Sequence, residues 1–404
     1  MLATRQDGLD RLEDFLPRAG RGYARTRNHD LGPEERDNVS MLSPWIRHRL
    51  LTEQEVVAAV LDQHSASAAE KFIQEVCWRT YWKGWLELRP EVWQDFLREL
   101  NADQDRVASN TGLQAALDEA ESGRTGIDAF DHWAQELVDT GYLHNHARMW
   151  FASIWIFTLK LPWTLGAHFF LRHLLDADPA SNTCGWRWVA GIQTRGKTYL
   201  ARPSNIEKFT NGRFHPTDLA AEAPALEWRE PPRPSELAET ASIDQLADTP
   251  ALLLIHPEDL HPESLIPDRL PLKAALAACS VDDAPDWPFG DKAGSFVTAG
   301  IEDAALRASE HYDLAPEIVA TLNAGAVVEA CRQADVATVV TPYAPVGPVA
   351  DALSALEQGL KDAGVSLHRV CREWDSSAWP NATKGFFPFK KKIPALLEQV
   401  GLAC

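Results

Sequence analysis

Four groups of residues in this 404-residue chain have types and spacing that could do chemistry. Val39, Ser40, Leu42 and Ser43 stand immediately before Pro44, which opens a helix. Backbone N–H groups at a helix start, with small hydroxyls beside them, are the cheapest holder of a diphosphate. The same pattern is also that of an ordinary N-cap serine followed by Pro in the first turn. Glu75 and Trp78 are three apart in FIQEVCWRTYW, so one helix face carries a carboxylate and an aromatic ring. Arg148 with Asp176 reads as a buried ion pair, and Asn182 as a turn residue in DPASNTCG. Finally, eleven of the fifteen tryptophans fall between Trp45 and Trp188, many in runs such as MWFASIWIFTLKLPW. That density exceeds what packing needs, although aromatics bury large areas and a Trp-rich core is the plain alternative.

The elements that must position these residues change character along the chain. Residues 1–215 read as helical, with amphipathic segments at Thr52 to Leu61, Ala68 to Glu87 and Ile127 to Asp139. Residues 216–249 are rich in Pro, Glu and Ala without periodicity and read as a linker. From 250 to 404, short apolar runs (ALLLIH, SFVTAGI, VATVVTPY, VSLHRV) read as strands, with helices at Ala324 to Ala334 and Pro348 to Gly364. The expected fold is therefore an all-helical domain followed by a small parallel-sheet, Rossmann-like α/β domain. No internal repeat links the halves.

Composition narrows the class. With 45% hydrophobic and 24% charged residues the chain matches a soluble globular protein of two domains. No run approaches a membrane span, and MLATRQDGLDRLEDFL carries acids where a signal peptide would be apolar, so a cytoplasmic protein is expected. Cys77, Cys184, Cys279, Cys331, Cys371 and Cys404 form no CxxC pair and have no histidine at zinc spacing, which predicts reduced thiols and no metal. Only two of them precede residue 250, which sets aside a four-cysteine cluster in the first half. The net charge of -19 argues against a general nucleic-acid binder. Between Phe151 and Phe214, however, eight Lys/Arg face three acids, a local balance of +5, so one basic face on an acidic body is expected.

Four ordered segments resemble the FAD-binding domain of photolyases and cryptochromes. SMLSPWIRHRLLTEQEV, with Tyr23 and Arg27 before it, is similar to the family's TSRLSPYLRFG element. FIQEVCWRTYW is similar to W-x-x-E-L-x-W-R-E-F-Y. TGIDAFDHWAQELVDTGYLHNHARMWFAS resembles TGxPxVDAxMRxLxxTGWMHNRxRMxxAS. LPWTLGAHFFLRHLLDADPASNTCGWRWVAG follows DWRxGxxxFxxxLLDGDxAxNNGGWQWxAG closely. The last 150 residues resemble the family's antenna-type α/β domain, through LLLIHPEDLHPES, AGVSLHRV and TKGFFPFKKKIP, the last similar to G-x-P-Y-x-x-F-T-P-F-x-K. In the family that domain comes first, so the resemblance implies a circular permutation. It also implies FAD and, in the α/β part, a second antenna chromophore of unknown identity.

The resemblance carries roles onto particular residues. FAD would be bound by Tyr23, Val39, Ser40, Met41, Leu42, Ser43, Phe72, Glu75, Arg79, Tyr142, Asn145, Arg148, Asp176, Asp178 and Asn182. Arg148 and Asp176 would lie beside the flavin ring, Asp178 at its N3/O4 edge and Asn182 at N5, where a carboxamide helps set the redox form that accumulates. Glu75, Trp78, Asn145, Met149 and Trp188 would line a pocket for a flipped pyrimidine dimer, stacking being worth roughly 1 to 3 kcal/mol per base. Asn145, standing where (6-4) enzymes have His, favours cyclobutane-dimer chemistry. Trp186 and Trp163 match the first two members of the family's electron-transfer chain.

This sequence also departs from the pattern. The family's loop Arg is Met41, GWQW is GWRW, and the Arg after the MHN motif is His146. The stretch around Ser109 to Leu113 contains no third Trp, and IQTRGKTYLARPSNIEKF replaces a DNA-facing segment. Two functions follow. One is light-driven repair of cyclobutane pyrimidine dimers in damaged DNA, with single strands among the candidate substrates. The other is a cryptochrome-like photoreceptor or redox flavoprotein without repair. A light-independent oxidoreductase would leave Trp186 and Trp163 without a task.

Overall fold

The computed structural model describes residues 1–280 and 289–402. Twelve helices fill its first half: α1 (Arg5–Phe15), α2 (Arg21–Thr26), α3 (Ser43–Arg47), α4 (Glu53–Gln63), α5 (Ala66–Glu87) and α6 (Glu91–Ala108), then α7 (Thr111–Glu121), α8 (Asp128–Thr140), α9 (Asn145–Ser153), α10 (Trp163–His173), α11 (Pro179–Val189) and α12 (Pro203–Phe209). Their ends obey local rules. Thr52 and Glu55 close a capping box on α4, Ser65 caps α5, and α8 stops where Gly141 turns left-handed at φ 69°.

The second half is a five-stranded parallel sheet flanked by helices: β1 (Ala251–Ile255), β2 (Leu272–Ser280), α13 (Asp291–Tyr312), β3 (Glu317–Thr321), α14 (Ala324–Gln333), β4 (Thr338–Pro342), α15 (Pro348–Asp362) and β5 (Ser366–Val370). The strand order is β3-β2-β1-β4-β5. Three short helices, α16 (Glu373–Ala378), α17 (Phe386–Lys390) and α18 (Ile393–Gln399), end the described chain.

One strand expectation is wrong. SFVTAGI lies inside helix α13, where Ala293, Phe296, Val297, Gly300, Ile301, Ala304 and Ala308 are buried at helical spacing. Over the whole helix the apolar residues follow a 3.6-residue period, which a run as short as SFVTAGI does not reveal. The strand between β1 and the edge strand β3 is instead LKAALAACS, whose alanines and lysine have little strand preference of their own. It is held by pairing, Leu254 opposite Leu276 and Ala278 opposite Val319.

The sheet joins the two halves. Leu253, Ile255, Ala277, Val340 and Val370 share one core with the helical half, while Leu252, Leu254, Leu276 and Val339 pack on Val327, Leu353 and Leu356 of α14 and α15. The alternation is the period of two that a strand imposes. Residues 216–249 are irregular except for a short turn, but they are strapped down: Leu226 N donates to Ala190 O at 3.2 Å and Ser235 N to Leu88 O at 2.8 Å. Among the described residues no helix is long and apolar enough to cross a membrane, and no group of three His, Cys, Asp or Glu could hold a metal ion. Cys77, Cys184, Cys279, Cys331 and Cys371 are free thiols; Cys404 lies outside the described residues.

Candidate flavin site

The loop before α3 is held from behind. Asn38 Nδ2 donates to Thr26 O at 2.9 Å and His29 O at 2.8 Å. Arg11 Nε donates to Ser40 O at 2.7 Å and its Nη2 to Val39 O at 3.2 Å. These bonds occupy the Val39 and Ser40 carbonyls, and within the loop Leu42 N donates to Ser40 Oγ at 3.4 Å. Met41 is left-handed at φ 55°, a conformation that costs a non-glycine residue about 1 kcal/mol or more. α3 is only five residues long, so the loop's attraction for an anion rests on the Ser40 and Ser43 hydroxyls and nearby N–H groups rather than on a long helix dipole.

Tyr23 and Phe72 meet edge to face with ring centroids 5.3 Å apart. Tyr23 also lines a cleft of about 420 Å³ with Gly22, Thr26, His29 and Asn38. His144 accepts from His146 N at Nδ1, so Nε2 carries the proton and donates to Arg27 O at 3.0 Å. Burial lowers its pKa to about 4, which keeps the ring neutral.

Beyond the loop the structure assembles the charges expected together. Arg148 Nη2 lies 3.0 Å from Asp176 Oδ2, Arg79 Nη2 lies 3.7 Å from the same oxygen, and Arg79 Nη1 donates to Asp178 Oδ2 at 2.9 Å. Asp178 is also the N-cap of α11, accepting from Ala180 N and Ser181 N. Burial alone would raise both carboxyls, but Arg148 and Arg79 hold Asp176 low, and Lys83, Arg79 and Arg47 hold Asp178 at about 2. Tyr142 is buried beside them, with the Arg36 and Arg148 guanidinium groups over its ring at 4.8 and 5.5 Å. Asn182 Nδ2 donates to Ala167 O at 2.9 Å, which leaves its carbonyl oxygen and its second N–H outside that bond.

This cluster suits a flavin. Ser43 approaches Asp176 closely enough to help keep it ionised, yet Asp176 Oδ1 is buried with no hydrogen bond among the described residues. A bare buried carboxylate oxygen costs about 1 to 3 kcal/mol, more for a charged group, and calls for a donor from outside the chain. The N–H of a flavin ring or the hydroxyls of its ribityl chain are such donors.

The expected pocket residues are placed less uniformly. Arg27 Nη1 lies 2.5 Å from Glu75 Oε1; burial raises the Glu75 pKa and Arg27 pulls it back. Asn145 and Met149 are one turn apart on α9, the first exposed and the second half-buried. Trp188 is 37% exposed and lies 5.5 Å from Tyr199. Trp78 has a partner that sequence reasoning missed: Phe386 of α17 stacks on it at 3.6 Å and 12°. The similarity of GFFPF to the family's F-T-P-F is visible in the sequence, but its contact with α5 depends on how the two halves pack.

The tryptophans fall into two aromatic groups, one around Trp186 and one around Trp163. Trp186 is 6.2 Å from Trp155 and 5.1 Å from Phe170. Gly166 of α10 lets this happen, since a Cβ there would come within 2.3 Å of the Trp186 ring and 2.9 Å of Trp155. Trp155 sits in a π-helical turn at Ile154–Thr158. Trp163, one turn before Gly166, is 5.6 Å from Phe96, itself 5.4 Å from Trp93. Trp93 Nε1 donates to Asp351 Oδ2 of α15 at 3.0 Å. Trp155 lies in the Trp-dense run MWFASIWIFTLKLPW, whereas Trp93 falls in no motif.

Residues 72–215 match the family model described as the FAD binding domain of DNA photolyase. A deoxyribodipyrimidine photo-lyase of Alkalihalophilus pseudofirmus is 29% identical over 201 residues, 48% of this chain and 39% of the relative. One from Agrobacterium fabrum is 32% identical over 190 residues, 45% of this chain and 37% of the relative. A chloroplastic/mitochondrial cryptochrome DASH of Oryza sativa subsp. japonica is 26% identical over 189 residues, 46% and 32% of the two chains. The chain thus spans less than half the length of these curated relatives. Among solved structures, a class III photolyase from Agrobacterium tumefaciens has a TM-score of 0.43 at 28% identity, covering 52% of this chain and 43% of that one. A Synechocystis sp. PCC6803 cryptochrome has a TM-score of 0.39 at 26% identity over the same shares. Residues 72–215 thus match an FAD-binding domain of the DNA photolyase type, and this segment is what the chain shares with photolyases and cryptochromes.

Proposed function

We propose that the protein repairs cyclobutane pyrimidine dimers in DNA with light, using FAD held by the Arg79, Arg148, Asp176 and Asp178 cluster. Reduced FAD, when bound, supplies an electron to the dimer under blue or near-UV light and recovers it after ring splitting. The observation that carries the reading is the sharing of α5: Glu75 and Trp78 lie within one turn of Arg79, whose guanidinium holds both flavin-side carboxylates. Dimer and flavin would then be gripped by neighbouring residues of one rigid helix. Glu75, paired with Arg27, offers a carboxyl to the dimer's polar edge, while Asn145 and Met149 offer an amide and an adaptable apolar contact.

Recharging the flavin is the task of these two aromatic groups. Trp186 and Trp163 carry the first steps, and Trp93, buried beside Phe96, takes the place of the family's third tryptophan. A hole arriving at Trp93 takes one electron from its ring, and the indole proton passes from Nε1 to Asp351 Oδ2. Burial raises the Asp351 pKa, with Trp93 opposing, which suits it to accept and return a proton. A thiol reductant in solution restores the electron. We also infer that the two domains, 1–215 and 250–404 across the linker 216–249, stand in the reverse of the family's usual order.

A second reading, a photoreceptor without repair, is favoured by one observation: Phe386 covers a face of Trp78 that would otherwise stack on a base. The test is illumination of protein whose flavin has been chemically reduced, with dimer-containing single-stranded and duplex oligonucleotides. Regained absorbance in the pyrimidine band is expected. Its absence with fully reduced flavin, alongside blue-light reduction of oxidised flavin, would favour the photoreceptor.

A further inference from the structure

Among the described residues, Phe387 is the most exposed large hydrophobic side chain, at 78%. It is the second residue of α17, between Phe386 and Phe389, both buried. Where the family's F-T-P-F-x-K pattern has Thr, this chain has Phe387. Around it, residues 376–397 contain no acid and four lysines, Lys384, Lys390, Lys391 and Lys392, in a chain whose net charge is -19. Lys390 pairs with Glu70 of α5 at 2.9 Å. Lys384, Lys391 and Lys392 are exposed and make no ion pair among the described residues.

The segment is rigidly mounted. Tyr81 OH donates to Lys384 O at 2.9 Å, Arg89 Nη2 donates to Thr383 O at 2.8 Å, and Phe386 stacks on Trp78. Phe387 is therefore held in water by a fixed backbone, beside three unpaired ammonium groups. A ring so placed buries little area against its own fold, and it stands among exposed lysines.

We propose that α17 and its flanking lysines are a docking surface for single-stranded DNA, with a base stacked on Phe387 and phosphates on Lys384, Lys391 and Lys392. Charge complementarity selects a polyanion, and a lone flat ring amid lysines suits a strand whose bases are unpaired. An anionic membrane fits less well, because interfacial helices bury a continuous apolar face and α17 exposes one apolar ring on five residues. The choice of DNA rests on the repair reading: α17 lies along the part of α5 that carries Glu75 and Trp78, so a strand on Phe387 is led towards that pocket.

The test is binding of an undamaged fluorescent oligonucleotide in the dark, by anisotropy across a salt series, with the full chain. Binding by the unmodified protein, weakened roughly tenfold by Phe387→Ala and restored by Phe387→Trp, is expected. Lys391→Glu with Lys392→Glu should weaken it further and flatten the log–log salt slope by about 0.7 for each phosphate no longer neutralised. Because no flavin chemistry is involved, a failure of repair leaves this result untouched. Unchanged binding in all three variants would overturn the proposal. So would tighter association with phosphatidylserine vesicles than with the oligonucleotide, abolished by the same variants.

Discussion

Trp93 shows how a single hydrogen bond can give a buried ring a role. Its indole N–H would be satisfied by any acceptor, yet the acceptor is Asp351, a side chain on the far half of the molecule. Trp93→Phe is expected to remove most of the blue-light reduction of oxidised flavin, as Trp186→Phe should remove all of it. Asp351→Asn should leave the electron path and delay loss of the indole proton, seen as a longer-lived protonated tryptophan radical in transient absorption. Repair by chemically reduced protein should be unaffected by all three. Equal photoreduction in Trp93→Phe and the unmodified protein would place the exit elsewhere. The sequence could not point to Trp93, because Trp163 of α10 reaches it only through Phe96 and its hydrogen-bond partner Asp351 lies on α15. Asp178, by contrast, was legible: DPASN is at once a cap signal and part of the longest match to the family.

At the scale of elements, α10 and α11 are held as close as a glycine permits. Gly166→Ala forces a methyl into the Trp186 ring, and overpacking of this kind costs typically about 1 to 3 kcal/mol. A lowered unfolding temperature with weaker flavin retention is the expected outcome; an unchanged melting curve would show that Trp186 yields without penalty. Element type was readable wherever the apolar period was long: α4, α5 and α8 begin or end within two residues of expectation. It failed where the period was short or masked. SFVTAGI was too brief a window on the 22-residue helix α13, and LKAALAACS has the composition of a helix but is fixed as a strand by partners on both sides.

Across the whole molecule, the two halves meet on buried charge rather than on apolar area alone. Arg47 donates two 2.6 Å hydrogen bonds to Glu258, and Arg49 Nη1 lies 3.4 Å from Asp259 Oδ2. Glu87 of α5 accepts from Tyr343 OH at 2.7 Å and from Val346 N at 2.5 Å. Burial raises its pKa from 4.5 to about 7, against the two hydrogen bonds. A raised carboxyl holds a proton in the folded state that the unfolded chain has released, so its contribution is complete below pH 4.5 and lost as the pH rises to about 7. Glu87→Gln should flatten that part of the stability profile, and an unaltered difference between the two proteins across the window would contradict the assignment. None of these pairings is legible in the sequence, since the partners lie more than two hundred residues apart along the chain.

Whether a flavin gripped by Arg79, Arg148, Asp176 and Asp178 delivers its electron to a dimer beside Glu75 is the central question. The most direct measurement is the rate of dimer splitting per absorbed photon by chemically reduced protein, compared with Glu75→Gln and Asp176→Asn. Splitting by the unmodified protein, a lower yield in Glu75→Gln at full flavin content, and loss of flavin from Asp176→Asn are predicted. No splitting by the unmodified protein with its flavin fully reduced and a dimer strand bound would contradict it.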